Sequence, residues 1–344
     1  MKSTFLKIAC VVVFFLNTLI INAQDSTEVI TKKFHHDFTT AANSLLKIEN
    51  KFGKLVVENW DKSEVSIDVT IEVKTKDQKK ADKVFEVIEI LFEAKDTLLS
   101  AVTKINKSVN NADLSINYKV KMPKSLRTEF FQKYGDVFID ELSGKTNITV
   151  KYGNLKINLL SDSDQKPVSE IDLGYSKAEI KKCNWLKVSL KYSDLEIEEG
   201  AALMIDAKYS KLEIVKCRSI VAECEFCDKF EVGETNNFVC NGEYSSFKIG
   251  KLNSKLELDI QFSSAKIKEL SAEFKEISIE SEYSSVKVAI PESVSYNLDA
   301  KSSFGKIKYS GGTCDGAAKL CVGKEKNPSV NVKVSTKFGN IDLD

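Results

Sequence analysis

The sequence predicts an all-β fold, a parallel β-solenoid or β-helix with coils of about 17–21 residues and one short helix in an N-terminal capping region. Three observations carry that expectation. An aromatic residue recurs at near-constant spacing, apolar residues alternate on both sides of it, and the interval cannot hold strand, helix and strand.

The recurrence is plainest in KYSDLEIEEGAALMIDAKYSKLEI (191–214), where KYSDLEI returns as KYSKLEI. With the aromatic as position zero, the series is Phe52, Tyr134, Tyr152, Tyr175, Tyr192, Tyr209, Phe226, Tyr244, Phe262, Tyr283, Phe304 and Phe338. From Tyr175 the steps are 17, 17, 17, 18, 18, 21, 21 and 34 residues, the last being twice 17. Leu186, Val188 and Leu190 lie six, four and two places before Tyr192, and Leu195 and Ile197 three and five after it. Period-two alternation means strands with one buried face. The change from even to odd spacing after the ring means that one residue is taken up by a bend, which Gly or Ser at plus one suits. Phe226 is followed by an inserted residue, and its apolar pair moves to Phe230 and Val232. Rings and branched side chains are expected to pile up inside the stack. A meander of antiparallel hairpins is the rival, but it gives no reason for one uniform period. Stacked about 4.8 Å apart, the repeats from Tyr134 onward make a rod on the order of 50 Å long.

In chain order, residues 1–23 read as a signal peptide. Lys2 and Lys7 precede the apolar run IACVVVFFLNTLII, and a small residue closes it before Gln24. Residues 24–39 form an N-terminal extension. Residues 40–125 form a strand-helix-strand capping region: KFGKLVV, then EVSIDVTIEV, then DQKKADKVFEVIEILFEAK (77–95). In that last segment Val84, Val87, Ile88 and Leu91 fall at helical spacing and Asp77 can cap the start. The helix is expected to cover an otherwise open sheet edge. Residues 126–344 form the repeat domain, with a long Gly-containing loop at 310–329 and a last strand in KFGNIDLD.

Charge is balanced, with 50 Lys+Arg against 50 Asp+Glu, which removes the bulk argument for nucleic acid. The charges nonetheless keep register. Glu179, Glu196, Glu213 and Glu231 stand at plus four, followed by Lys248, Lys266, Lys287 and Lys308. At minus one the order is Lys191 and Lys208, then Glu225, Glu243 and Glu282. These columns are expected to lie side by side around the bend and relieve each other's repulsion.

The stretch LKIENKFGKLVVENWDKSEVSIDVTIEV with its helix, and the later YGDVFIDELSG and YGNLKI repeats, resemble the bacterial putative adhesin family of β-strand-repeat domains of unknown function. The resemblance spans roughly residues 40 to 344. It implies an exported β-solenoid-like protein and supplies no catalytic residues.

No chemistry-bearing constellation competes with this reading. His35 and His36 are the only histidines, and neighbours on a strand point to opposite faces, so they read as surface residues. Cys224 and Cys227 lack a second CxxC and a nearby histidine, and Cys240 reads as a core residue. Cys314 and Cys321 are able to close a local loop, which export permits. No catalytic, cofactor-binding or metal residue is assigned, and no cofactor. The expected function is a non-enzymatic, exported protein of the periplasm or cell surface. Its partner would be an envelope or extracellular protein or a glycan, with no nucleic acid and no membrane segment after signal cleavage. A carbohydrate-active β-helix enzyme is one alternative, requiring a groove of clustered acids. An envelope structural or signalling protein, binding through its helix or an open last strand, is the other.

Overall fold

The computed structural model describes residues 28–41, 43–107, 113–161 and 169–344; the expected signal at 1–23 lies outside them. Among the described residues the chain is nearly all strand, with a single helix at Gln78–Glu86.

Successive repeats pair in parallel. Lys177–Lys191, Asp194–Lys208, Lys211–Glu225, Lys229–Glu243 and Ser246–Gln261 lie side by side, so that Leu195 pairs with Leu212 and Leu212 with Phe230. This excludes the antiparallel meander. Apolar side chains at minus six, minus four and minus two, and again at plus three and plus five, are buried in every one of these repeats where they occur. Burying a large apolar side chain is worth about 1.5–3 kcal/mol, so each added repeat brings several such contributions. A second corner lies where the inward step lengthens to three, at Ile180, Cys183 and Leu186. The column there runs Cys183, Gly200, Cys217, Thr235 and Leu252.

Chain order and spatial order part company at both ends. Near the N-terminus, Leu45–Lys51 pairs with both Leu98–Ile105 and Arg127–Lys133, so the first repeat lies between later ones. Antiparallel strands then extend that end of the stack, Ile88–Lys95 beyond Leu98–Ile105, and Glu64–Lys74 followed by Val29–Thr39 beyond Asp113–Met122. Within the stretch read as an extension, Val29–Thr39 therefore forms an edge strand. Near the C-terminus, Asn331–Lys337 pairs with Glu276–Glu282 and with Tyr296–Ser303, and Asn340–Asp342 is likewise held between two strands. The final strand is enclosed, which removes the open last strand as a docking edge. The expected loop at 310–329 instead contains Gly312–Cys314 and Ala317–Val322, which pair antiparallel with the last repeat in space.

The helix is shorter than its spacing suggested. Asp77 accepts hydrogen bonds from the Lys79 and Lys80 amides at 2.9 and 3.3 Å, and Ala81 and Phe85 are buried. It ends at Glu86, and Ile88–Lys95 forms a strand paired with Leu98–Ile105. The run VIEILF satisfies both periods, and the neighbouring strand decides between them.

Candidate functional site: an outward column of aromatic rings

The recurring rings do stack, but outside the core. Each of the twelve residues adopts a left-handed backbone conformation, with φ between 48° and 61°. That single dihedral turns a side chain that strand parity would bury into solvent, and gives its inward place to the next residue. The order is Phe52, Tyr134, Tyr152, Tyr175, Tyr192, Tyr209, Phe226, Tyr244, Phe262, Tyr283, Phe338 and Phe304, with the last two exchanged relative to the sequence. Centroids lie 4.8–5.3 Å apart and planes within 21°. Exposure runs from 37% to 53%, except for Phe304 at the end of the column, which reaches 81%. The faces of interior rings are covered by their neighbours, so the column offers ring edges and tyrosine hydroxyls. The expectation of rings inside the stack is thereby corrected.

The inward place at plus one is filled in two ways. In the middle repeats it is Ser: the Ser176 amide donates to Ser193 Oγ and the Ser193 amide to Ser210 Oγ, each at 3.1 Å. Each Oγ donates in turn to a carbonyl two residues back, as Ser193 does to Lys191 at 3.0 Å. Cys227 takes the same place in its repeat, its amide donating to Ser245 Oγ and its thiol to the Ala207 carbonyl. Toward both ends it is Gly, because the backbones come too close for a side chain; a Cβ on Gly135 would lie 1.7 Å from the Gly53 oxygen.

Charged rows flank the rings. The plus-four column is continuous in register, from Glu179 through Glu196, Glu213 and Glu231 to Lys248, Lys266 and Lys287. Its acids are relieved by lysines at plus two and by the switch of sign. Lys177 contacts Glu196 at 2.8 Å, Lys229 pairs with Glu213, and Lys248 contacts Glu231 at 2.8 Å. The hydrogen bond from Lys248 holds the Glu231 carboxyl below its ordinary range. The minus-one column likewise pairs along itself, Lys208 with Glu225 at 2.8 Å and Lys337 with Glu282 at 2.8 Å. Relief therefore comes from the same column or its neighbour on one side of the bend and not from across it, where the rings stand between the two. On the minus side Asp206, Glu223 and Asp259 join Glu225 and Glu243 around a trough of about 390 Å³.

The remaining candidates are set apart from this surface. His35 lies on the outer face of the edge strand, 2.8 Å from Asp68 and 3.1 Å from Asp37, whereas His36 stacks on Phe92 at 4.9 Å between centroids. Cys224, Cys227 and Cys240 are buried free thiols. A hydrogen bond with Cys224, and burial, push the Cys227 thiol up, and burial takes Cys217 to about 11, so neither ionises readily. Cys314 is buried and Cys321 exposed, and both are free. Among the described residues no group of three or more His, Cys, Asp or Glu is placed to share a metal ion, and no helix is long and apolar enough to cross a membrane.

No protein-family model matches the chain, and no curated protein matches it. Among solved structures it is similar to a putative cell adhesion protein from Clostridium sporogenes, at 13% identity and a TM-score of 0.19 over 91% of this chain and 99% of that one. It is similar to a putative adhesin from Bacteroides fragilis, at 11% and 0.28 over 91% and 97%. A putative lipid binding protein from Parabacteroides distasonis matches at 12% and 0.30 over 72% and 97%.

Proposed function

We propose that the chain is an exported, non-enzymatic β-solenoid that acts by surface contact at the cell envelope, in the manner of an adhesin. The observation that supports this most is the uninterrupted outward column of rings with a charged row on each side. A long repeating surface makes many weak contacts at once, which suits an extended partner better than a small molecule in a pocket. The signal-like run at 1–23 supports export. The test is protease treatment of intact cells together with deletion of the gene. Cleavage on intact cells and loss of attachment to extracellular protein or glycan are expected. Protection on intact cells with unchanged attachment overturns the reading.

The acidic trough favours a second reading, a carbohydrate-active enzyme, because hydrolysis of glycosidic bonds uses paired carboxylates. Turnover of a polysaccharide panel that is lost in Glu223→Gln would replace the first reading with this one.

A further inference from the structure

We infer that the strip of lysines and serines beside the rings in the C-terminal half of the stack binds a linear acidic polysaccharide. This rests on the surface-contact reading and supplies its ligand class. Lys248, Lys266 and Lys287 stand directly over one another, and Lys268, exposed two places after Lys266 on the middle strand, extends the strip. Ser246, Ser264 and Ser285 form a parallel row between these lysines and the rings, and Ser264 Oγ donates to Ser246 Oγ at 3.2 Å. No carboxylate occupies plus two, plus four or plus six in the repeats of Tyr244, Phe262 and Tyr283.

The two halves of the plus-four column differ in how their like charges are relieved. The glutamates are met by lysines of their own chain, as described above. Among the lysines, Lys248 is drawn to Glu231 and Lys287 to Asp342 at 2.8 Å, one at each end of the trio. Lys266 has no ion-pair partner among the described residues, although a lysine lies one strand spacing away on either side. Like charges directly opposite one another repel, and an anionic group lying over Lys266 removes the conflict. Ammonium groups repeating along one line match a linear polyanion, and the serine row supplies hydroxyl contacts suited to sugars. Tyr244, Phe262 and Tyr283 each have both faces covered, so the strip offers nucleobases no stacking platform.

The test is binding of the full mature chain to polygalacturonate, with dextran as the neutral control and phosphatidylglycerol vesicles and an oligonucleotide as separate arms. Polygalacturonate is expected to bind, to weaken as salt rises, and to bind Lys266→Gln/Lys287→Gln roughly tenfold more weakly, as fits the loss of two charge contacts. Glu179→Gln/Glu196→Gln should bind as the wild type does. Circular dichroism confirms the fold of each variant. Absence of binding, equal binding of dextran, indifference to the lysine changes, or preference for vesicles or oligonucleotide overturns the inference. Loss of attachment on gene deletion without polygalacturonate binding removes this ligand and leaves the surface-contact reading standing. Lysine-dependent polygalacturonate binding without an attachment defect does the reverse.

Discussion

Left-handed backbone costs an L-residue about 1–2 kcal/mol, and each stacked aromatic pair returns about 0.5–1.5 kcal/mol beyond burial. Tyr192 makes two such contacts, at 4.9 Å each, so its strain and its stacking are of the same size. Tyr192→Ala keeps the strain and loses the rings' contact, whereas Tyr192→Gly loses the contact and the strain together. Urea unfolding should therefore find the Ala variant less stable than the Gly variant by about 1 kcal/mol; the opposite order would show that the bend is not strained. The sequence located this bend correctly, because apolar spacing changes from even to odd across it. The direction of the ring was not legible, since parity alone puts Tyr192 on the same face as Leu190. One positive φ reverses that, and no residue type other than Gly announces it. Serine at plus one was readable as a small bend residue, but its role as an inward link between repeats depends on the neighbouring strand.

Edge strands show what local pattern can and cannot supply. Val29–Thr39 has an alternating run, yet its place is fixed by pairing with Glu64–Lys74, which brings His35 opposite Asp68. The hydrogen bond to Asp68, and then that to Asp37, raise the His35 pKa above its ordinary 6.5. A raised folded value means that the contribution of protonated His35 is fully present below the unfolded pKa and is lost as pH climbs through the folded one. The thermal stability advantage of wild type over His35→Gln should accordingly shrink as pH rises from about 6 to 8. An advantage that grows over that range contradicts the assignment. The helix at 78–86 was legible from Asp77 as its cap, while of the residues at helical spacing only Val84 lies within it. Its abrupt end was not, because Ile88, Leu91 and Phe92 fit a helix and Ile88, Ile90 and Phe92 a strand until Leu98–Ile105 lies beside them.

Long-range order was legible where the period is constant and illegible where it breaks. The 34-residue interval between Phe304 and Phe338 looks like two repeats in succession, but Asn331–Lys337 is inserted between Glu276–Glu282 and Tyr296–Ser303. Truncation after residue 329 should therefore open a gap within the stack. Limited proteolysis should show 292–329 becoming sensitive along with the lost strands; a fragment ending at 329 with full resistance argues against the enclosed arrangement. The charged surface follows the same logic, since each column is a line through the whole stack, and that Lys266 alone of the three stacked lysines has no ion-pair partner among the described residues is visible only once every repeat is in place. What most directly tests the outward column is nitration of native protein, read residue by residue by mass spectrometry. Tyr134, Tyr152, Tyr175, Tyr192, Tyr209, Tyr244 and Tyr283 are expected to react while buried Tyr118 and Tyr296 are protected. Protection of the seven column tyrosines in the folded protein would place the rings inside and contradict it.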